Sequence, residues 1–338
     1  MQIIKDLNKP NLEKLKQEIE GNNLVIFPTE TVYGIGANAL SEEAVKKIFS
    51  VKERARNNPL IVHLKNKEEI KKYAIIENDI EKKLIDAFMP GPFTIILKKK
   101  EIIPDCVSAS LDTVGIRVPI NEIANKFLDY VNLPIAAPSA NISSRPSGTK
   151  VNDIKDEFDN LINYIIDGGE SEIGLESTVV KVIDDIPTIL RPGFITSEDI
   201  KSVVGTCNIS ENVLKQISDK SKVESPGMLY KHYAPKTKCL LVYSDNLDNL
   251  IKLINTNKTK KTIILGGSKL ANVDCYKFIN YGNTLEEISH NLFSLLRKCD
   301  TYDADLIIIE GVKQVGLGLA IMNRLIRTAN FNYQELWK

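Results

Sequence analysis

The sequence is poor in the features that set a chain apart from ordinary globular proteins. Its 338 residues hold only five cysteines (Cys106, Cys207, Cys239, Cys275 and Cys299), odd in number and never in CxxC spacing. That scatter excludes a disulfide framework and a structural zinc site, and fits reduced thiols. Net charge is missing too: 44 Lys+Arg stand against 44 Asp+Glu. A neutral chain is not held on nucleic acid by bulk electrostatics, although charge can still gather locally. No run approaches the roughly 20 apolar residues that span a bilayer. The longest apolar strings, such as CLLVY from Cys239 and LIIIE from Leu306, are strand-sized. The first turns are charged and lack an apolar core of signal-peptide length, so a cytoplasmic location is expected. Gly266-Gly267-Ser268-Lys269 lacks the order of a phosphate loop, and Gly316-Leu317-Gly318 does not match GxGxxG; both read as turns. HExxH and GxSxG are absent, which excludes the metalloprotease and α/β-hydrolase readings.

What remains is 43% hydrophobic and 26% charged, the balance of a globular chain. At roughly 100–200 residues per domain, the length argues for about two domains. The first two-thirds mix α and β. Leu12, Leu15 and Ile19 share one face of a helix from about Asn11 to Glu20, which Gly21 is expected to end in a left-handed conformation. Ser41 caps a second helix with Glu42 and Glu43 in its first turn. Strands are expected at Leu24–Pro28, Leu60–Leu64, Phe93–Leu97, Val114–Val118, Ile135–Ala137, Tyr164–Ile166, Thr178–Ile183 and Thr188–Leu190. Helices fill Asp79–Phe88 and Asn121–Val131. Periodicity fades from 206 to 236, in a segment that begins polar and ends in Pro-Gly and aromatic residues. Beyond it, strands near 238, 262, 277 and 305 alternate with helices near 247, 284 and 317, which implies a parallel, Rossmann-like sheet. The domain boundaries read as 1–205, a linker or lid at 206–236, and 237–338.

Polar residues collect where the early strands end. Thr29, Thr31, Gly34 and Gly36 follow the first strand as a polar turn. Lys52, Arg54, Arg56, Asn57 and Asn58 follow the second helix. His63 closes a strand, and Arg117 sits in an otherwise apolar one, where a buried guanidinium calls for an anionic partner. Ser139 and Asn141 lie past another strand end, Ser177 at a strand start, and Arg191 at a strand exit. Cations and hydroxyls converging on one cleft, with no nucleophile–base pair, suit a polyanion such as a nucleoside triphosphate. For that chemistry, positioning and charge neutralisation supply most of the catalysis.

Six segments in order carry a resemblance: FPTETVYGIGANA from Phe27, KERARNNPLIVH from Lys52, MPGPFTIIL from Met89, TVGIRVP from Thr113, APSANISSRPSGT from Ala137, and GLESTVV with ILRPG from Gly174 and Ile189. Together they resemble the YrdC-like threonylcarbamoyl-AMP synthase family, and SPGMLYKHYAPKTK from Ser225 is similar to the linker of its two-domain form. The resemblance covers essentially the whole chain. It implies a twisted mixed sheet with surrounding helices and a central cavity, plus a smaller Rossmann-like domain. It implies an enzyme that joins L-threonine, bicarbonate or CO2 and ATP into L-threonylcarbamoyl-adenylate, releasing pyrophosphate. The product serves modification of tRNA beside the anticodon, by a separate threonylcarbamoyl-transferase complex, so tRNA binding is not required for this step.

Residue by residue, the resemblance puts L-threonine on Thr31, His63, Arg117, the Ala137 carbonyl and Ser177. It puts ATP on Arg54, Asn58, Thr113, Ser139, Ser147 and Arg191, with Tyr230 and Tyr233 reaching in from the linker. Lys52, Arg54 and Asn141 take the catalytic roles. No protein-held metal is expected, and Mg2+ would travel with ATP. Two rivals stand beside this reading. One is a hydrogenase-maturation carbamoyltransferase, whose zinc-finger cysteine pairs and acylphosphatase-like region are not found here. The other is an RNA-binding module that uses a basic cavity surface without adenylate chemistry. In the C-terminal domain, Arg324 and Arg327 read either as a solvated helix face or as a contact to the first domain.

Overall fold

A computed structural model describes residues 1–215 and 233–336. These fall into two compact units, one holding Met1–Ser143 with 147–215, the other Ser144–Pro146 with 233–336. The chain of the first unit runs β1 (Gln2–Ile4), α1 (Lys9–Glu20), β2 (Val25–Phe27), β3 (Gly34–Asn38), α2 (Glu42–Val51), β4 (Ile61–His63), α3 (Ile70–Tyr73), β5 (Ala74–Ile75) and α4 (Asp79–Phe88). It continues through β6 (Phe93–Lys99), α5 (Asp105–Ser108), β7 (Thr113–Arg117), α6 (Glu122–Val131), β8 (Ile135–Ala136), α7 (Val151–Phe158), β9 (Tyr164–Ile166), β10 (Thr178–Ile183), β11 (Ile186–Arg191), α8 (Ser197–Val204) and β12 (Asn208–Ile209). The strands form one mixed sheet in the order β1-β9-β2-β3-β8-β4-β7-β6-β10-β11-β12, with β5 beside β6.

Local chemistry accounts for the helices. The Ser41 hydroxyl accepts the Ala44 N–H at 3.2 Å, and Asn78 and Asn121 cap α4 and α6 in the same way. Val45, Ile48 and Phe49 turn one face of α2 into the core. Helix α1 starts two residues earlier than its apolar stripe predicts, because Asn8 caps it by accepting the Asn11 N–H at 3.0 Å. Its end corrects the expectation for Gly21, which lies at φ −76°. The left-handed residue is Asn22, at φ +61°. The Pro28–Gly36 turn is also shorter than its polar composition suggests, since Gly34 and Gly36 already belong to β3. A Cβ on Gly36 would come within 2.8 Å of Ile135 and 3.0 Å of Phe27, so the glycine lets those side chains cross the strand.

The central strands have two unlike faces. Val62, Val114, Ile116, Ile95, Leu97 and Val180 join the main core under α2 and α4. Each such burial contributes about 1.5–3 kcal/mol. The alternate residues point the other way, where Ile61, Ile96, Val179 and Leu190 form a small apolar patch, while α1 and α6 cover that face at Val25, Phe27, Ile135 and Ile166. His63, Thr94, Thr113 and Arg117 alternate with the core residues of these strands and share that second face.

The second unit contains β13 (Cys239–Tyr243), α9 (Leu247–Asn257), β14 (Thr262–Gly266), β15 (Lys277–Asn280), α10 (Leu285–Cys299), β16 (Leu306–Glu310), α11 (Leu317–Thr328) and β17 (Tyr333–Glu335). All its strand pairs are parallel, in the order β15-β14-β16-β13-β17. Leu240, Val242, Ile254, Ile264, Leu270 and Ile308 fill one side of this sheet. Arg324 and Arg327 are buried, which removes the solvated-face reading of α11. Among the described residues, no helix is long and apolar enough to cross a membrane.

Candidate active site

Strand register brings the first residues together. β4 and β7 run parallel with His63 opposite Arg117, and β6 runs antiparallel to β7 with Ile95 opposite Ile116. One step further along that register puts Thr94 beside Arg117. β10 pairs with β6 so that Val179 faces Thr94, and the Thr94 and Ser177 hydroxyls meet at 2.8 Å. Arg191, opposite Val179 on β11, donates to the Ser177 carbonyl at 2.9 Å and to its hydroxyl at 3.1 Å. His63, Arg117, Ser177 and Arg191 thus stand at one end of the five-strand run β4-β7-β6-β10-β11, with Thr94 of β6 between them, and all four are buried.

Charge at this edge is tightly held. The Arg117 guanidinium donates to Glu30 Oε1 at 2.6 Å, with both side chains about 95% buried. Glu30 Oε2 and Arg117 Nε have no protein partner, although both are buried. Leaving such atoms unpaired costs about 1–3 kcal/mol each, so the pair is poised for a ligand with complementary groups. Glu30 comes from the loop before β3, which is laced to its surroundings by the main chain. The Ile173 N–H donates to Glu30 O, the Gly174 N–H to Thr31 O, and the Ala140 N–H to Tyr33 O. Thr31 is fully buried, its hydroxyl 2.8 Å from that of Thr29, which donates onward to Val32 O. His63 is held neutral. Burial, with repulsion from Arg117, pushes its imidazole down to about 3.

Lys52 ends α2 and is 1% exposed. Its ammonium donates to the carbonyls of Ser139 and Asn141, and reaches Asn141 Oδ1 at 3.4 Å. The Ser139 hydroxyl also donates to Asn141 Oδ1, at 2.6 Å. Lys52 is therefore the clamp of the Ser139–Asn141 turn, while Ala137 is fixed by its own N–H donating to Ile61 O. The Ser147 hydroxyl donates to the buried Glu176 carboxylate at 2.6 Å. Arg54 folds onto its own loop, donating to Pro59 O at 3.0 Å, with Asn58 buried beside it.

The expected residues divide between the two ends of the strands. Asn58 and Thr113 precede or begin β4 and β7, whereas His63 and Arg117 end them. The length of β7 separates Thr113 from Arg117 by about 13 Å. Tyr233 lies in the second unit, where its ring stacks on Phe293 at 5.1 Å and faces the Arg324 guanidinium. Tyr230 lies outside the described residues. Sequence reasoning missed Glu30, Thr94 and Glu176. Thr94 was readable from the alternation of β6, which puts it on the face of Ile96. The partners of Glu30 and Glu176 lie 87 and 29 residues away, and nothing local signals them.

Comparison with known proteins agrees with this architecture. A family model described as telomere recombination (Sua5/YciO/YrdC) matches residues 17–193, and one described as threonylcarbamoyl-AMP synthase, C-terminal domain, matches 195–330. A threonylcarbamoyl-AMP synthase of Pyrococcus abyssi is 41% identical over 93% of this chain and 92% of its own. One of Bacillus subtilis is 39% identical over 95% and 94%. The crystal structure of P. abyssi Sua5 complexed with L-threonine superposes with a TM-score of 0.92 at 38% identity, covering 99% of this chain and all of its own. Two units, one a mixed sheet edged by buried arginines and the other wholly parallel, match these relatives from end to end, and the chain belongs to the threonylcarbamoyl-AMP synthase family in its two-domain form.

Proposed function

We propose that the first unit condenses L-threonine, bicarbonate or CO2, and ATP into L-threonylcarbamoyl-adenylate, releasing pyrophosphate. The observation that carries this reading is the buried Arg117–Glu30 pair, with one unpartnered acceptor and one unpartnered donor. A free amino acid offers the matching groups. Its carboxylate takes the Arg117 guanidinium, for which two parallel hydrogen bonds are the favoured geometry. Its ammonium takes Glu30 Oε2. Thr31, Ser177 and the Ala137 carbonyl then face its remaining polar groups, and neutral His63 meets it without adding charge.

In this scheme the bound threonine ammonium releases one proton to solvent, and the free amine captures CO2 as an N-carboxylate with loss of a second proton, or captures bicarbonate with loss of water. A carboxylate oxygen attacks the α-phosphorus of ATP, the new O–P bond forms in line, and the bond to the pyrophosphate oxygen breaks. Arg191, beside Ser177 at the threonine end, offsets charge where the carboxylate meets the phosphate. Lys52 holds Ser139 and Asn141 in place for the same region. The nucleoside extends toward Thr113, Asn58 and Arg54, over the apolar patch of Ile61, Ile96, Val179 and Leu190. Mg2+ enters as part of the ATP substrate. Among the described residues, no three His, Cys, Asp or Glu side chains converge to hold it.

The adenylate would then serve a separate transferase that modifies tRNA, with no tRNA contact at this step. The test is incubation with ATP, labelled bicarbonate and single amino acids. Threonine-dependent pyrophosphate release with label in an adenylate supports the reading. RNA binding without such release would favour the module reading instead.

A further inference from the structure

In the second unit, the chain leaves β14 toward β15 on one side, and leaves β16 toward β17 on the other. Such a reversal in a parallel sheet opens a crevice at the carboxyl ends of the strands, the usual place for a ligand in this kind of fold. Here the crevice is a cleft of about 350 Å³, at the small end of ligand sites. Its polar lining includes Asp245, Ser268, Lys269, Tyr281, Glu310 and Lys313.

The floor is a buried carboxylate. Glu310, the last residue of β16, is 5% exposed. Its Oε2 accepts the Gly267 N–H at 2.8 Å, and its Oε1 meets the ammonium of Lys269, a half-exposed side chain, at 2.7 Å. A Cβ on Gly266 would lie 2.9 Å from Glu310 Oε2, so the glycine is what lets the carboxylate descend. The Tyr281 hydroxyl donates to the Glu310 carbonyl and fixes the strand end.

This arrangement decides between ligand classes. A phosphate would need the amides of the Gly267–Ser268 turn, but Glu310 occupies the first and Asn283 Oδ1 accepts the second at 3.0 Å. Asp245, which accepts the Tyr243 hydroxyl at 2.5 Å, adds a second negative charge to the lining. Against these two carboxylates stand two ammonium groups, Lys269 and Lys313. Two charges of each sign in a small polar cleft fit a ligand that carries both signs itself.

We propose that this cleft binds a small zwitterion of the α-amino acid class, with its ammonium toward Glu310 and Asp245 and its carboxylate toward Lys269 and Lys313. The site is separate from the chemistry assigned to the first unit. The experiment is methyl NMR on the full chain, titrated with individual L-amino acids, orthophosphate and AMP, without bicarbonate. Ile288 lines the cleft and reports on it, while Ile61 reports independently on the first unit. At least one amino acid is expected to move Ile288 saturably. Glu310→Gln and the exposed-site variant Lys313→Ala should each weaken that response by roughly tenfold, the scale of one charge-assisted hydrogen bond. Glu310→Gln retains a similar shape, and Lys313→Ala keeps the test open if the buried variant fails to fold. No response of Ile288 to any amino acid, or a response to orthophosphate or AMP alone, would overturn the proposal, whatever Ile61 does.

Discussion

Arg117, at the end of β7, and Glu30, in the loop before β3, form a buried ion pair at 2.6 Å between segments 87 residues apart. The pair is left incomplete by one acceptor and one donor atom. Removing one member strands the other charge, at a cost of about 3–5 kcal/mol. Arg117→Ala therefore confounds binding with folding, and Arg117→Lys is the better probe. Lysine keeps the charge on Glu30 but loses the planar fork that grips a carboxylate. The expected result is a rise in the KM for threonine of roughly tenfold or more, for a lost contact of about 1.5–3 kcal/mol. The KM for ATP should change little. An unchanged threonine dependence in steady-state assays would remove Arg117 from the amino-acid site.

Glu30→Gln tests the other half of the pair. The amide preserves shape and one acceptor for Arg117, but it no longer offers a negative charge to a threonine ammonium. Threonine binding should weaken by about tenfold, and thermal stability should fall as well, because the buried Arg117 charge loses its counter-ion. Calorimetric titration with threonine alone measures this directly. Equal affinity in the two proteins would mean that the unpartnered Glu30 oxygen does not face the amine.

His63 links the site to pH. Its folded-state value of about 3 lies below the ordinary 6.5, so between those values the unfolded chain binds the extra proton. Stability from this group is therefore complete above pH 6.5 and declines as pH falls toward 3, by at most about 1.4 kcal/mol per unit. His63→Gln should flatten that part of the curve in denaturant unfolding measured at steps from pH 7 to pH 4. An identical acid slope in the variant would show that another group carries it.

How much of this was legible in the sequence follows from the range of each interaction. The bounds of β9, β10 and α4 could be read directly, because apolar spacing and an Asn cap are local signals. His63, Ser177 and Arg191 stood out as polar residues at strand limits and Arg117 as a charge inside an apolar strand, and register brings the four to one end of the sheet. β1 and β3 escaped notice, the first because three residues give no period, the second because its glycines serve Phe27 and Ile135 from other strands. Helix α8 also carries a local signal, the Thr196–Asp199 capping box. Glu30 was hidden for a different reason: in a threonine-rich turn, an acid looks solvated until its distant arginine is known.

Lys52 gives a prediction about positioning. Its ammonium joins the carbonyls of Ser139 and Asn141 to the Asn141 side chain, the two Asn141 contacts fully buried and the Ser139 contact partly so. Lys52→Met keeps the length and removes the charge, leaving those oxygens short of a donor. At about 1–3 kcal/mol for each buried acceptor left unmade, the loss of stability should be measurable as a lower melting temperature. The rate should fall more than threonine affinity does, because in the proposed scheme the clamped turn serves the region where the carboxylate meets the phosphate and does not touch the amino acid. Lys52→Arg, which restores the charge with a bulkier head, should recover stability in part. A variant that lost threonine affinity and kept its rate would place the ammonium on the amino acid instead.

Gly193 closes the set, because its role is purely steric. A Cβ there would lie 2.4 Å from Thr178 N, 2.8 Å from Glu176 O and 2.8 Å from the Ser177 carbonyl carbon, all main-chain atoms that cannot swing away. The strand entrance holding Ser177 is thus packed directly against the turn that follows Arg191. Gly193→Ala must push these segments apart, breaking the bonds from Arg191 to Ser177 and shifting the Ser177 hydroxyl from Thr94. The cost of such overpacking is about 1–3 kcal/mol, and the activity lost should exceed what that destabilisation explains. Thermal melting beside pyrophosphate release, both measured well below the melting temperature, separates the two effects. Full activity at unchanged stability would mean that the turn after Arg191 does not set the geometry of Ser177.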